Sequence, residues 1–379
     1  MSEPAPPSTD SDAGAFEPGD VNAHTHLYSG LSPFGMEAPD PPPRSFLEIL
    51  ERVWWRLDRA LDANSLRASA RYYAASALLQ GTTSVIDHHE SPSFLDGSLD
   101  ILADACQNLG LRAVLCFGAT ARNGGAAEGR RGLLECRRFI LENRRPLVRG
   151  VIGLHASFTV HDETILEAAS LCRELNTVLH VHVAEDLADI ADARARGYKN
   201  PLERLLALGA LPEGSILAHG VHLSEADVRL AEARGLWLVQ CPRSNRNNRV
   251  GYPAALAWSD KVALGTDGFP SDMRTEAAVL RSLAIEHGDD MEAAERRLEK
   301  GRALVAERFN AISLPDCVRR APAEASPENP GAVLDVLVDN QYSVRGGELV
   351  SGDMVAIEAE AREAAPGLWR RMRDLGAGK

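Results

Sequence analysis

Short apolar runs rich in β-branched residues recur along the chain, and each is followed by a longer segment with helical spacing. The longer segments carry apolar residues at positions i, i+3, i+4 and i+7, which is typical of amphipathic helices. Several begin at Ser, Asp or Asn and end at Gly or Asn, as helix caps require. The runs predict eight strands: DVNAH from Asp20, TSVIDHH from Thr83, RAVLCFGA from Arg112, VRGVIGLHA from Val148, VLHVHVAE from Val178, SILAHGVH from Ser215, LWLVQCP from Leu236 and VALGTD from Val262.

Eight strands that alternate with helices predict an α/β protein whose parallel strands close into a (β/α)8 TIM barrel. The alternative is an open doubly wound sheet, but no G-x-G-x-x-G motif follows the first predicted strand. We expect a disordered tail over residues 1–19, because this segment is rich in Pro, Ser, Asp and Ala. The barrel is predicted over residues 20–310, and a linker, remnant β-strands and a C-terminal helix interrupted by Pro366 over residues 311–379.

Composition and charge exclude several classes of protein. The chain of 379 residues has a formal net charge of −13, and nucleic-acid binding needs clustered Lys and Arg, so no nucleic-acid partner is expected. No stretch approaches the roughly 18 apolar residues of a membrane span, and no signal-peptide pattern opens the chain, so no membrane association is expected. The six cysteines form no C-x-x-C pair, which indicates neither a disulfide framework nor a Cys-based zinc site and favours a reduced cytoplasm.

Histidines cluster where the predicted strands end. In a barrel of this kind, chemistry takes place at the carboxyl ends of the strands. Residues two apart on a strand face the same side, so His24 and His26 can bind one metal ion together, as can His180 and His182. The alternative is that these are half-exposed histidines on an edge strand, but such histidines would show no preference for strand ends. Nine of the eleven histidines lie at or near the carboxyl end of a predicted strand: His24, His26, His88, His89, His155, His180, His182, His219 and His222.

Carboxylates accompany these histidines. Glu185 comes three residues after His182, His219 ends the sixth predicted strand, and Asp267 ends the eighth. Three neutral imidazoles and one carboxylate suit Zn²⁺ or Fe²⁺, with a position left for water. Such an ion lowers the pKa of its water toward neutrality. Glu185 could then protonate a substrate nitrogen, although a solvated residue at the start of an acidic loop is the alternative interpretation.

Four motifs together resemble the amidohydrolase superfamily: PGDVNAHTH, HVAE, LAHGVH and LGTDG. Within it, the chain resembles the branch of metal-dependent deaminases and chlorohydrolases that act on nitrogen heterocycles. It is most similar to the SsnA-type aminohydrolases. That closer resemblance rests on five segments: WWRLDRALD, GTTSVIDHHESP, GLHASFTV, SNRNNRVG and LGTDGFPSDM.

The resemblance implies one divalent metal ion per chain, with Zn²⁺ preferred and Fe²⁺ as the alternative. It implies His24, His26, His182 and Asp267 as the ligands of that ion. The predicted fourth strand carries no lysine at its end, so the bridging carboxylated lysine of two-metal members is absent. We therefore expect a mononuclear site.

The resemblance also implies catalytic and substrate-binding roles. Glu185 is expected to protonate the ring nitrogen, His219 to orient the attacking water, and Asp267 to carry the water's proton to the leaving group. Separately, a polar loop is expected after the seventh strand, with a cluster of caps and turns as the alternative interpretation; its polar residues are Ser244, Asn245, Asn247 and Asn248. Four further side chains are expected to contact the substrate: His155, His88, Trp54 and Ser271.

The function predicted from these residues is that of a mononuclear metal-dependent amidohydrolase. It would hydrolyse a C–N bond of a cyclic amidine or similar nitrogen heterocycle, a small molecule, and release ammonia. The same machinery acting in dechlorination or amide hydrolysis is one alternative, and a non-catalytic subunit of an assembly is another. Relatives usually carry a β-sandwich beside the barrel, and here it must be reduced or missing, which motivates a homo-oligomer or a partner subunit that supports the first strand.

Overall fold

The computed structural model of the protein describes residues 14–322 and 331–377. A short strand, β1 (Phe16–Pro18), precedes a large sheet of parallel strands. In chain order that sheet contains β2 (Asp20–Thr25), β3 (Thr82–His89), β4 (Arg112–Ala119), β5 (Val148–Gly150), β6 (Ile152–Ala156), β7 (Leu179–Val183), β8 (Ile216–His219), β9 (Trp237–Gln240) and β10 (Val262–Leu264).

The large sheet curls into a barrel. Eight strands follow one another in the order β2, β3, β4, β6, β7, β8, β9, β10, and β5 pairs with β4 as an extra strand. The last strand returns to the first through a parallel bridge between Thr25 and Asp267. Both β3 and β4 are buried along their whole length, as expected of parallel strands covered by helices. The predicted (β/α)8 barrel is confirmed.

Helices connect the strands and form the outer layer. Within the described residues, no helix is long and apolar enough to cross a membrane. The helices are α1 (Phe46–Ile49), α2 (Trp55–Ala60), α3 (Ala63–Leu79), α4 (Ser98–Leu109), α5 (Gly125–Glu142), α6 (Asp162–Glu174), α7 (Leu187–Ala195), α8 (Pro201–Ala207), α9 (Glu225–Ala233), α10 (Pro242–Asn248), α11 (Met273–His287), α12 (Met291–Arg308) and α13 (Met354–Ala377).

A second, antiparallel sheet forms the appendage. It contains β11 (Cys317–Arg320), β12 (Val333–Val338), β13 (Gln341–Arg345) and β14 (Glu348–Leu349), with β1 at the edge beside β11. Residues 16–18 therefore form a strand where the composition predicts a disordered tail, because β11 supplies a pairing partner about 300 residues away in the chain. The rest of the predicted tail up to residue 13, and most of the Pro- and Ala-rich linker, lie outside the described residues.

The C-terminal helix corrects one sequence expectation. α13 runs through Pro366 without the predicted interruption. Proline inside a helix costs about 3 kcal/mol, because it removes one hydrogen bond and its ring meets the preceding turn. The helix buries one face against α2 and α3, including Ile357, Ala361 and Leu368, and the burial of this face offsets that cost.

A buried ion pair joins the appendage to the barrel. Arg112, at the start of β4, donates from Nε to Oδ2 of Asp316 at 2.6 Å and from Nη2 to Oδ1 at 2.8 Å. Both side chains are almost fully buried. Asp316 also accepts a hydrogen bond from the backbone N–H of Asp339 in the appendage. The pair is thus bidentate and satisfied on both sides, as buried charges require.

Removing Asp316 is expected to destabilise the protein strongly, because it leaves the Arg112 guanidinium buried without its partner. We expect Asp316→Ala to lower the free energy of unfolding by about 3–5 kcal/mol in urea titrations. The control is Glu174→Ala, which breaks the exposed ion pair with Arg137 and should cost less than about 1 kcal/mol. Equal losses in the two variants would show that the buried pair does not secure the appendage.

Candidate metal centre

Four strand ends bring imidazoles and a carboxylate to one point in the barrel mouth. His24 lies in β2 and His26 directly follows it, His182 lies in β7, His219 ends β8, and Asp267 follows β10. Donor atoms of His24, His182, His219 and Asp267 all lie within 4.8 Å of one another. His26 lies beside this group, with its Nε2 atom 2.8 Å from Oδ1 of Asp267. The residues expected as ligands therefore do come together.

The backbone at these strand ends is unusual. His219 and Asp267 adopt left-handed conformations, with φ of 74° and 55°, which non-glycine residues seldom do. The backbone N–H of Asp267 donates to the carbonyl of His24 at 2.9 Å, which fixes the aspartate against the first strand. Gly265 allows this approach, because a Cβ atom there would lie 2.7 Å from the backbone N and O of His24. The strained turn aims the Asp267 carboxylate at the histidines.

Hydrogen bonds to backbone carbonyls fix the ring orientation of two histidines. His26 donates from Nδ1 to the carbonyl of His88 at 2.5 Å, and His182 donates from Nδ1 to the carbonyl of His155 at 2.6 Å. A neutral imidazole that donates from Nδ1 keeps a lone pair on Nε2. This second contact is the one that metal-binding histidines usually make.

His24 provides a test of whether the centre fits a metal ion. Its Nδ1 atom lies 3.0 Å from Nε2 of His180. Its Nε2 atom is fully buried, has no hydrogen-bond partner within residues 14–322 and 331–377, and lies 3.6 Å from Oδ1 of Asp267. A buried polar atom without a partner is costly and calls for an explanation. Three imidazoles and one carboxylate around such an atom fit a divalent metal ion.

The charges at the centre oppose one another. Burial lowers the pKa of His24 to about 3. Burial would lower the pKa of His26 as well, but the hydrogen bond to Asp267 and the charges of the neighbouring carboxylates together raise it to about 9. Burial would raise the pKa of the Asp267 carboxyl, yet His24 and His26 hold it well below its usual range. A proton on His26 and a cation would thus compete for the same lone pair.

Glu185 and His219 form a second pair beside the cluster. The Glu185 carboxylate lies in the loop after β7, with Oε2 3.4 Å from Nε2 of His219. Burial raises the pKa of Glu185 to about 7, with His219 opposing the shift and Asp267 adding to it. A carboxyl group with such a pKa can carry a proton near neutral pH. The Glu185 side chain is 12% exposed, so it is a largely buried neighbour of His219 and not the solvated loop residue of the alternative interpretation.

The segment after β9 was expected to be a polar loop, and it is helix α10, which begins at Pro242. One face of this helix contacts three side chains of the centre, whereas Asn247 contacts only Asn248 among the described residues. The residues on that face are Ser244, Asn245 and Asn248, and their separations of one, three and four positions are a helical spacing that the sequence already showed. The contacts are Ser244 Oγ with Asp267 Oδ2, Asn245 Oδ1 with His219 Nδ1 at 2.9 Å, and Asn248 Nδ2 with Glu185 Oε1 at 3.2 Å.

A cleft opens beside the centre. His155 and Trp54, which were expected to contact the substrate, both line it. The side chains of Phe46, Leu50 and Phe158 add an apolar wall. A cleft with an apolar wall and a few polar groups is typical of sites for small molecules.

The other two expected substrate contacts do not line this cleft. Ser271 is buried in a separate network, 3.1 Å from Nδ2 of Asn22 and 3.1 Å from Oγ1 of Thr82. The chain turns after Asp267, so four residues of separation do not place Ser271 in the mouth. His88 donates from Nε2 to the carbonyl of Leu154 at 3.0 Å and lies behind the cleft wall.

The sequence analysis missed Glu90, the residue that follows β3. It is only 2% exposed and lines the cleft. Its Oε1 atom lies 2.8 Å from Nδ1 of His88, and its Oε2 atom lies 3.7 Å from Nδ1 of His26. A single acidic residue after a strand has no spacing partner, so only its position after a predicted barrel strand could have singled it out.

Replacing Ser271 distinguishes a packing role from contact with a substrate. Ser271→Ala removes one hydrogen-bond partner each from Asn22 and Thr82, so we expect the free energy of unfolding to fall by about 1 kcal/mol. The KM of any substrate is expected to stay unchanged, because the side chain does not line the cleft. Ser313→Ala, at an exposed position, is the control and should change neither quantity. A raised KM with unchanged stability would return Ser271 to the substrate site.

The fold and the converging side chains define a barrel protein with a candidate centre for a divalent metal ion at the carboxyl ends of its strands. The chain belongs to the amidohydrolase family, whose sequence pattern matches residues 16–311. The resemblance to this superfamily is therefore confirmed. The closer similarity to the SsnA-type aminohydrolases stays a prediction.

Several known proteins are similar over most of this chain. A 5-methylthioadenosine/S-adenosylhomocysteine deaminase 2 from Archaeoglobus fulgidus is 27% identical over 362 residues, which cover 90% of this chain and 83% of that protein. A 5′-deoxyadenosine deaminase from Methanopyrus kandleri is 27% identical over 92% of this chain and 85% of that protein. The crystal structure of an adenosine deaminase from Xanthomonas campestris with bound zinc has a TM-score of 0.75 at 25% identity and covers 96% of this chain and 87% of that one.

Proposed function

We propose that the protein is a metal-dependent aminohydrolase that replaces an amino group on a nitrogen heterocycle by oxygen and releases ammonia. The observation that carries this proposal is the convergence of His24, His26, His182 and Asp267 next to Glu185 in one cleft. These residues supply ligands for a metal ion and a proton donor on adjoining sides of the cleft. The names of the similar deaminases support the same reaction class.

We assign His24, His26, His182 and Asp267 as the residues that hold one divalent ion, and Zn²⁺ as that ion. Imidazole nitrogen and carboxylate oxygen are ligands that zinc accepts in catalytic sites. The similar protein from Xanthomonas campestris contains zinc. When bound, a divalent ion makes a water molecule nucleophilic near neutral pH.

The chain's own residues account for the proton transfers. Asn245 holds His219 through Nδ1, which leaves Nε2 facing Glu185 and free to orient water. Asp267 accepts a hydrogen bond from Ser244 on one oxygen and can take the water's proton on the other. The water oxygen adds to the carbon that carries the amino group, and Glu185 gives a proton to the adjacent ring nitrogen. Asp267 passes its proton to the leaving amine and ammonia departs, while the proton of the added hydroxyl returns to Glu185 as the carbonyl forms.

The cleft favours a flat, apolar ring. Phe46, Trp54 and Phe158 can cover the faces of a heterocycle, since aromatic side chains pack on planar rings. His155 is held by Thr159, with Nδ1 2.9 Å from Oγ1, and its other nitrogen is available to a substrate. These contacts orient the ring with its amino group toward the centre.

Ammonia release is the direct test of this function. Zinc-loaded protein should release one ammonia per turnover from 5′-methylthioadenosine, adenosine or another amino-bearing heterocycle, measured by a coupled ammonia assay. The product should absorb as the corresponding oxo heterocycle. Failure across purine, pyrimidine and triazine amines, with the ion present, would remove the proposed function.

We further propose that the protein works in the cytoplasm. The six cysteines are free thiols in the structure, which supports a reducing compartment such as the cytoplasm. A homo-oligomer or partner subunit stays a prediction for solution measurements. Light scattering of purified protein at micromolar concentration would decide it.

A further inference from the structure

Glu90 lies on the opposite side of His26 from Asp267. The imidazole of His26 contacts Asp267 through Nε2 at 2.8 Å and faces Oε2 of Glu90 through Nδ1 at 3.7 Å. One imidazole ring therefore separates the two carboxylates. Glu90 also lines the cleft beside the metal centre, so a substrate bound in that cleft can reach it.

The Glu90 side chain has an unused acceptor. Among the described residues its buried Oε1 atom has no partner in hydrogen-bond geometry, although Nδ1 of His88, also without one, lies 2.8 Å away. Gly118 lets Oε1 lie close to β4, because a Cβ atom there would lie 2.5 Å from it. Buried acceptors are nearly always satisfied in native proteins. Since Glu90 also lines the cleft, an N–H donor of a ligand is a partner that its carboxylate can reach there.

The charges of the cleft give the same indication. Five carboxylates line it, and among the lining residues that the structure describes there is no Lys or Arg. The nearby Arg122 is held by Asp58 at 2.7 Å, so its charge is already balanced. One divalent ion would offset two of these negative charges, so the cleft still favours N–H donors and positive charge over anions. The five carboxylates are Glu90, Glu185, Asp186, Asp189 and Asp267.

We propose that Glu90 accepts a hydrogen bond from an N–H group of the substrate and selects neutral or cationic amino-heterocycles over anionic ones. This inference rests on the proposed function, because it places the reacting carbon at the metal centre. Glu185 serves the ring nitrogen that becomes protonated, and Glu90 serves a different N–H group. Glu90 is thus a specificity-determining residue.

A positioning role for His26 is the competing explanation of Glu90. Its carboxylate is near Nδ1 of His26, and residues behind a metal ligand can tune how tightly the ion binds. The contact is long, however, and Nδ1 already donates to the carbonyl of His88 at 2.5 Å. If positioning were the role, removal of the charge would lower metal content and leave substrate affinity of the metal-loaded fraction unchanged.

The experiment compares Glu90→Gln with Glu135→Gln, which makes the same change at a carboxylate on α5 that does not line the cleft. Metal per chain is measured by elemental analysis, and ammonia release is followed with 5′-methylthioadenosine, adenosine and adenosine 5′-monophosphate. For Glu90→Gln we expect retained metal and a KM for the two nucleosides about 10- to 100-fold higher, since a hydrogen bond to a charged group is lost. Glu135→Gln should match the parent protein.

Binding is measured separately, so that the inference does not depend on turnover. Calorimetry in the Glu185→Gln background gives the Kd of the same three probes with and without Glu90→Gln. Weaker nucleoside binding on loss of Glu90, together with still weaker binding of the monophosphate by the parent, supports the inference even if no ammonia is released. An unchanged Kd and KM, loss of metal, a second metal ion bound through Glu90, absence of nucleoside binding, or equal affinity for the monophosphate would overturn it.

Discussion

Glu185→Gln is expected to reduce kcat by about 10²–10⁴-fold, the range over which a positioned proton donor contributes. The amide has the shape of the carboxyl group and keeps an acceptor for Asn248, but it cannot deliver a proton to the substrate. Fold and metal content should remain, because Glu185 contacts His219 and Asn248 and is not among the assigned ligands. Steady-state ammonia release on metal-loaded protein measures the effect.

Two controls make the Glu185 result specific. Glu135→Gln introduces the same chemical change away from the cleft and should leave kcat at the parent value. Thermal unfolding should give similar Tm values for Glu185→Gln and the parent protein. Unchanged turnover in Glu185→Gln would assign the proton transfer to another group, and a loss of metal would show that Glu185 supports the ion.

Removing one imidazole from the centre is expected to abolish both metal binding and turnover. His24 is fully buried, and its Nε2 atom has no hydrogen-bond partner among the described residues, so its lone pair is available to the ion and is lost in the variant. The parent protein should contain about one divalent ion per chain, and His24→Ala should contain about none. Elemental analysis of protein purified without chelator measures both.

The matched control for His24→Ala is His161→Ala, which removes an exposed histidine before α6. It should keep the ion and the activity. Chelation of the parent protein should stop ammonia release, and added Zn²⁺ should restore it in the parent but not in His24→Ala. Full activity in metal-free protein would exclude the proposed metal dependence.

The barrel could be predicted because two independent sequence patterns mark each of its strands. Each strand is an apolar run, and each is followed by a segment with helical spacing, which together define parallel strands joined by helices. Histidines at the ends of these runs then indicate the functional face. Position after a barrel strand is thus enough to bring His24, His182 and Asp267 together across the chain.

The appendage was underestimated because its strands carry little pattern of their own. Phe16–Pro18 and Cys317–Arg320 are three and four residues long, too short for a period of two to be recognised. They pair with each other only after the barrel has brought the two segments together. Pro366 was misleading for a related reason, since the packing that keeps its helix intact comes from α2 and α3.

At the site, the sequence predicted which strand ends carry functional residues. It predicted less well which way the side chains beyond those ends point. Ser271 follows Asp267 closely but is buried in the network of Asn22 and Thr82. No sequence pattern singled out Glu90, although it lines the cleft. The direction of these side chains depends on backbone turns beyond the strand ends. Local composition does not determine those turns.

The junction between the first and last barrel strands has a consequence for the order of events in folding. The bonded pair Thr25 and Asp267 are separated by 242 residues, so the ligand set cannot assemble until nearly the whole barrel has been synthesised and closed. An ion that binds only the closed form then favours closure by mass action. The ion would thus hold the first and last strands together. The backbone amides of Thr266 and Asp267 donate to the His24 carbonyl, and they should exchange with deuterium more slowly when the ion is bound.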